Sequence, residues 1–228
     1  MRIGLFGGTF NPIHNCHLTI ATQVRTRFAL DQVLLIPVGD PPHRSNRDLA
    51  PAAHRLEMVR LAIAGNPTLA VSDVEIRRPE KSYSIDTVRI LRHQYGAGVD
   101  LYFILGLDAF LEFPSWRQAP ELLALCHFVV VSRMGVSFVP LADRLPLPKL
   151  SRQALEDLDR RVTDRLDVPV PGGTSLALLC LPPCDISASD IRQRIHSRSD
   201  VALLLPASVK SYIMDHNLFQ EELNRPGF

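Results

Sequence analysis

The chain has 228 residues, 46% of them hydrophobic, which is ample for a packed core and for either one large domain or two small ones. Its 25 Lys and Arg stand against 24 Asp and Glu, so no overall field attracts nucleic acid or a membrane surface, and any anion site has to be local. No apolar run approaches the ~18 residues of a membrane span, and no charged segment followed by an apolar stretch opens the chain, so a soluble, cytoplasmic protein is expected.

Arg2 to Phe6 is a short apolar run that reads as a buried first strand, and Gly7-Gly8-Thr9 follows at once. A helix pattern starts near Asn15 and continues to about Phe28, with Ile20, Val24 and Phe28 four residues apart. A strand turning sharply into a helix gathers backbone N–H groups and the positive end of the helix dipole, and glycines there let an anion approach closely. His14 and His17, three residues apart, can both face that anion; the alternative is a plain Gly-Gly turn followed by solvated or core histidines.

Gln32–Pro37 is the second strand, and it leads into a loop, Val38–Ala50, stiffened by Pro41-Pro42 and made basic by His43 and Arg44. A helix from about Pro51 to Ala64 puts Leu56, Val59 and Ile63 on one face and stops at Gly65-Asn66-Pro67. Leu69–Ile76 reads as strand three. Ser84 reads as the N-cap of the next helix, with Asp86 in its first turn. Asp100–Leu105 is strand four, ending at Gly106 with Asp108 just beyond; short helical pieces carry Phe110, Phe113 and Trp116. His127–Val131, dense in β-branched residues, is a buried strand five.

Between Ser132 and Thr174 the prolines at 140, 146, 148, 169 and 171 surround one amphipathic helix, about Ser151–Leu166. This segment, 132–174, reads as an insertion within a single domain that spans 1–228. Strand six is Ser175–Leu181. After it, Ser187 and Ser189 suit an N-cap and Arg192 falls near the start of the helix, giving a second helix start able to hold part of a polyphosphate. A last helix runs from about Pro206 to His216. Alternating strands and helices call for a parallel sheet covered on both faces, with ligands at the carboxyl ends of the strands. Every candidate named here follows a strand.

The cysteines at 16, 126, 180 and 184 show no paired CxxC spacing, so buried free thiols are expected. Cys180 and Cys184 joining His14 and His17 around a metal is the alternative, and no metal site is assigned.

GGTFNPIHNCH (Gly7–His17) resembles the GGTFDPIHxGH signature of the nucleotidyltransferase superfamily, and ISASDIR (Ile186–Arg192) resembles its ISSTxIR signature. PVGDPPHR, SYSIDT, FILGLDAF with Trp116, and YIMDHNLF point to the bacterial nicotinate-mononucleotide adenylyltransferases, over nearly the whole chain. The resemblance implies a Rossmann-like, doubly wound α/β fold of three layers, with a short insertion and C-terminal helices. It implies transfer of AMP from ATP, with Mg²⁺ carried on the ATP, to nicotinate mononucleotide.

By matching positions, Gly7, Gly8, Thr9, Phe10, His14 and His17 would hold the ATP phosphates, and Ile186, Ser187, Ser189 and Arg192 their far end. His14, His17 and Arg192 would be the catalytic groups, and Gly106 and Asp108 would meet the adenosine ribose. His43, Arg44 and Arg133 would bind phosphate, with the Tyr83 and Ser84 amides on the nicotinate carboxylate and Trp116 against its ring. Two positions depart from the signature: Asn11 replaces its Asp, and Cys16 replaces its Gly. A transferase acting on another phosphomonoester remains open. So does a protein that binds a finished dinucleotide, although Gly7-Gly8 lacks the third glycine such a site needs. Monomer and homodimer are both open.

Overall fold

The computed structural model describes residues 1–41, 49–144 and 150–220. The elements run β1 (Arg2–Gly8), α1 (Asn15–Arg27), β2 (Gln32–Pro37), α2 (Ala52–Ile63), β3 (Leu69–Val71) and α3 (Ser84–Tyr95). Then come β4 (Asp100–Gly106), α4 (Leu107–Leu111), α5 (Ala119–Leu125), β5 (His127–Val131), α6 (Leu141–Arg144) and α7 (Arg152–Asp159). The chain closes with β6 (Arg165–Pro169), β7 (Ser175–Leu179), α8 (Ala188–His196) and α9 (Ala207–Asp215).

The strands form one seven-stranded sheet in the order β3-β2-β1-β4-β5-β7-β6. All neighbours are parallel except β6 and β7. Successive side chains of a strand point to opposite faces, so a sheet buried on both sides needs apolar residues throughout. Accordingly Leu5, Phe103, Leu105, Phe128 and Val130 join one core with Ile85 and Val88 of α3, Phe110 of α4, Leu122 of α5 and Leu155 of α7. Phe6, Ile104, Val129 and Val131 join the other with Val24 of α1, Met58 of α2, Ile191 of α8 and Val209 of α9. Helices thus cover both faces, which is the three-layer, doubly wound arrangement.

Two elements differ from the sequence reading. β3 ends at Val71 instead of Ile76, because the chain turns where Arg77 N–H donates to Asp73 O at 3.0 Å, carrying Glu75 into the interior. The helix expected to reach Leu166 stops at Asp159, where Arg161 takes a left-handed φ of 58°. Residues 165–169 then add an antiparallel edge strand, so the segment read as an insertion contributes to the main sheet. The period-two alternation of Arg165, Leu166, Asp167 and Val168 was the available signal, with the two apolar side chains facing in.

The strand-end loops are tied by one buried cation. Arg55 of α2 is 1% exposed, and its guanidinium donates to Ala50 O at 3.0 Å, Thr9 O at 2.9 Å and Gly39 O at 3.2 Å. Buried Glu75 supplies its nearby opposite charge and accepts from Thr87 Oγ1 at 2.8 Å. Gly39 must be glycine here, since a Cβ would lie 2.3 Å from the Glu75 carbonyl oxygen. Removing the guanidinium leaves three carbonyls without their donor at about 1–3 kcal/mol for each one kept from water, or about 3 kcal/mol in all. Arg55→Met should therefore lower the unfolding free energy by about that amount in denaturant titration. A loss below about 1 kcal/mol would show that Arg55 is not the tie described.

Candidate active site

Strand order reverses between β1 and β4: the chain first builds outward through β2 and β3, then returns to the other side of β1. A crevice at the carboxyl ends of the strands is the expected ligand site of such a sheet. A cavity of about 880 Å³ lies there, lined by residues from the ends of β1, β2, β4, β5 and β7.

The β1–α1 turn forms its floor. Gly7, Gly8, Thr9, His14 and His17 all line it, and a Cβ added at Gly7 would meet nothing within 4 Å, leaving the main chain open to a ligand. The His14 and His17 rings lie 3.7 Å apart at 31°. His17 Nδ1 accepts the His14 backbone N–H at 3.2 Å, so a neutral His17 carries its proton on Nε2. The edge of the Phe10 ring supports His17 at 5.0 Å and 80°. Burial holds both histidines neutral: His14 is lowered to about 4 and His17 well below its ordinary value, with the Arg133 cation acting the same way on both. His14 Nδ1 is buried without a hydrogen-bond partner among the described residues. The floor therefore presents uncharged imidazoles and main-chain amides instead of standing positive charge.

The opposite wall comes from the approach to α8. Ile186 and Ser187 line the cavity, and Ser187 Oγ caps the helix by accepting from Asp190 N–H at 3.0 Å. Ser189 and Arg192 stand outside the wall. Arg192 Nη1 donates to Asn11 O at 3.0 Å, and its Nη2 reaches Ser189 Oγ at 3.5 Å, so this side chain ties α8 to the β1–α1 turn. Asn11 is 3% exposed, and its Oδ1 accepts from Ala50 N–H at 2.9 Å. Asn supplies this acceptor without burying a charge.

Gly106, Asp108 and Arg133 sit at the mouth, where Arg133 Nε lies 3.3 Å from Asp108 Oδ2. Both side chains are about half exposed, so the pair is weak and easily exchanged for a ligand anion. The third wall carries Ser82, Ser84, Thr87 and Trp116. Trp116 packs against Phe103 and Phe113 at centroid distances of 6.2 and 5.5 Å while still lining the cavity, so it is at once a core residue and a wall residue.

Tyr83 departs from its expected role. Its amide donates to Lys81 O at 3.1 Å and its ring carries the Arg117 guanidinium at 4.8 Å, which leaves Ser84 as the residue of that pair on the wall. Phe10, expected beside the phosphates, is 1% exposed and serves as the support under His17. His43 and Arg44 lie outside the described residues. Sequence reading missed Glu75 and Thr87 in the cavity wall and Arg55 behind it. An arginine in phase with the apolar face of α2 was the one available signal.

The cysteine expectation also changes. Cys16 and Cys184, 168 residues apart in sequence, have Cα atoms 5.8 Å apart and are joined as a disulfide, while Cys126 and Cys180 are free and buried. Spacing along the chain could not show this, because the fold brings the β1–α1 turn and the loop before α8 together. Among the described residues no three His, Cys, Asp or Glu side chains group as metal ligands. No helix among them is long and apolar enough to cross a membrane.

A doubly wound sheet with two helix starts facing one crevice at its switch point is the frame of a nucleotide-binding transferase. The cytidylyltransferase-like family model matches residues 5–194. A protein named "Probable nicotinate-nucleotide adenylyltransferase" from Geobacter metallireducens is 41% identical over 97% of this chain and 100% of its own length. One of the same name from Dehalococcoides mccartyi is 37% identical over 97% and 98%. The chain belongs to the cytidylyltransferase-like family, in its nicotinate-nucleotide adenylyltransferase branch. The fold matches the solved Plasmodium falciparum nicotinic acid mononucleotide adenylyltransferase complexed with NaAD, at a TM-score of 0.70 and 17% identity, covering 96% of this chain and 97% of that one.

The buried histidines make stability depend on acid. His14 has a folded pKa of about 4 against 6.5 unfolded, so between these values the unfolded chain binds more protons. The stability that follows is complete above pH 6.5 and is lost as pH falls to about 4, on the order of 3 kcal/mol for His14 alone. His17 acts in the same direction. Thermal unfolding from pH 7 to 4 should show wild type losing stability more steeply than His14→Gln, and equal acid slopes would contradict the assignment.

Proposed function

We propose that the chain moves the adenylyl group of Mg·ATP to nicotinate mononucleotide, forming nicotinate adenine dinucleotide and releasing pyrophosphate. The observation that carries this reading is that two phosphate-competent turns, Gly7–His17 and Ile186–Ser187, line one cavity whose third wall offers a helix start and an indole. Branch membership supports the choice of acceptor.

In this reading residues 1–228 act as one catalytic domain. The ATP triphosphate spans the cavity. Gly8 and Thr9 amides and the two imidazoles take its α- and β-phosphates, and Ser187 takes the far end. Arg192 and Ser189 steady that end from behind, and Gly7 and Phe10 shape the floor. The ribose meets Gly106 and Asp108. Arg133, released from Asp108, gains a phosphate partner; His43 and Arg44 are assigned the same chemistry by the resemblance alone. Mg²⁺ enters with ATP as part of the substrate, its ligands being phosphate oxygens and water.

The nucleophile is a phosphate oxygen of the mononucleotide, mostly dianionic at neutral pH since its second pKa is about 6. It attacks the α-phosphorus, the bond to the bridging oxygen breaks, and the electron pair leaves with pyrophosphate. No general base is required. The barrier lies in bringing anions together and in stabilising charge on the transferring group, which calls for positioned donors. His17 Nε2–H, held in its tautomer by the His14 amide, is such a donor.

The nicotinate carboxylate meets the start of α3, where the first amides of a helix lack intrahelical acceptors. The amidated mononucleotide would present an NH₂ donor there. A hydrogen bond to a charged group contributes about 1.5–3 kcal/mol, or one to two decades in kcat/KM. A pyrophosphate-release assay over a panel of phosphomonoesters should show nicotinate mononucleotide preferred over its amide by at least about tenfold. Its binding should also change the emission of Trp116, the chain's only tryptophan. Equal use of both, or a better acceptor outside the pyridine nucleotides, would overturn the assignment.

A further inference from the structure

Cys16 lies between His14 and His17, at the second residue of α1; Cys184 lies just before the Ser187 cap of α8. Both line the cavity, and their Cα separation of 5.8 Å is within the ordinary range for a bonded pair. The link therefore joins the two phosphate-binding turns to one another across the path a polyphosphate would take between them. We propose that Cys16 and Cys184 form a reversible thiol–disulfide modification site, oxidised by small-molecule disulfides of the glutathione class, whose closure hinders ATP binding and slows adenylyl transfer.

The two sulfurs are unequal. Cys16 is 6% exposed, and Cys184 is only partly buried, on a loop that Pro182 and Pro183 precede. The more accessible Cys184 thiolate attacks one sulfur of the incoming disulfide, breaking its S–S bond and expelling one thiolate. The Cys16 thiolate then attacks the Cys184 sulfur of the mixed disulfide, forming the Cys16–Cys184 bond and expelling the second thiolate. Two electrons pass to the reagent, and the two protons lost from the cysteines end on the released thiols or in solvent. A dithiol reductant reverses both steps.

The remaining thiols do not compete. Cys126 is buried with its thiol pushed up to about 12, and Cys180 is buried with its Sγ 3.2 Å from Leu158 O. Thiolates are the reactive species, so the raised pKa of Cys126 and Cys180 disfavours both, and Cys180 is also held on the Leu158 carbonyl.

Closure acts through position. α1 is already anchored on its other side, where Asn15 N–H donates to Leu204 O at 3.0 Å and Asn15 Nδ2 to Leu203 O at 2.9 Å. The loop before α8 is the partner that can move. With the bond closed it is fixed against α1 with sulfur atoms beside the phosphate path; with the bond open it can draw back as ATP enters.

The proposal rests on the phosphate path described above, so the test separates the two readings. The full chain is reduced, divided, and one half treated with oxidised glutathione. Intact mass, accessible thiol count, affinity for a non-hydrolysable ATP analogue, and the adenylyl-transfer rate are then measured for wild type and Cys184→Ser. Expected in wild type are the loss of two hydrogens in mass, a fall from four titratable thiols to two under denaturing conditions, and at least tenfold weaker analogue binding, all reversed by dithiothreitol. Cys184→Ser should bind the analogue equally with and without the oxidant. Failure of the bond to form, or equal analogue affinity of the open and closed wild type, overturns the proposal. Absence of transfer to nicotinate mononucleotide by the reduced protein would instead reject the function assigned above, and the analogue-binding comparison would still decide the fate of the cysteine site.

Discussion

The site depends on one buried cation. Arg55 reaches from α2 to carbonyls at three separate places, the Thr9 turn after β1, Gly39 after β2, and Ala50 at the entry to its own helix. The Ala50 contact is buried and the Thr9 and Gly39 contacts are partly so, and carbonyls withdrawn from water need a donor. A single guanidinium supplies all three in a fixed planar geometry that an ammonium could not reproduce. The Glu75 carboxylate offsets its charge, and that carboxylate is in turn bonded to Thr87 at the start of α3. The floor, the β2 loop and the third wall are thus parts of one polar network, and the cavity takes its shape from it.

In the proposed reaction the chemistry above this network falls to groups that hold little standing charge. His14 and His17 are neutral because they are buried and close to Arg133. A neutral N–H in a site shielded from water can favour charge that develops during transfer without first gripping the ground-state phosphate tightly. In that reading Arg133 is the exchangeable cation, paired with Asp108 while both side chains are about half exposed. This division between fixed neutral donors and one exchangeable cation fits a reaction in which charge moves along a phosphate chain and no proton has to be abstracted.

Much of the frame was legible in the sequence because it rests on local signals. The apolar runs fix β1, β2, β4 and β5, and the Gly7-Gly8 turn and the Ser187 cap mark the helix starts that bound the cavity. What escaped depends on contacts distant in sequence. Arg55 meets Thr9 from 46 residues away, and Cys16 meets Cys184 from 168. β6 was hidden for another reason: the helix pattern was carried two residues into it, and its short period-two alternation becomes a strand through pairing with β7. Phe10 and Tyr83 show the same limit on a smaller scale. Which side of the chain faces the cavity is set by packing, and packing turned Phe10 under His17 and Tyr83 toward Arg117.

The account turns on His17 as a neutral donor to the transferring group, and steady-state kinetics of His17→Ala test that most directly. Loss of one such donor should lower kcat by about 10²–10³ while KM for the mononucleotide moves little, because the interaction is made mainly in the transition state. A variant that keeps wild-type kcat, or one whose only change is a raised KM, would contradict this role and leave His17 as a packing residue of the β1–α1 turn.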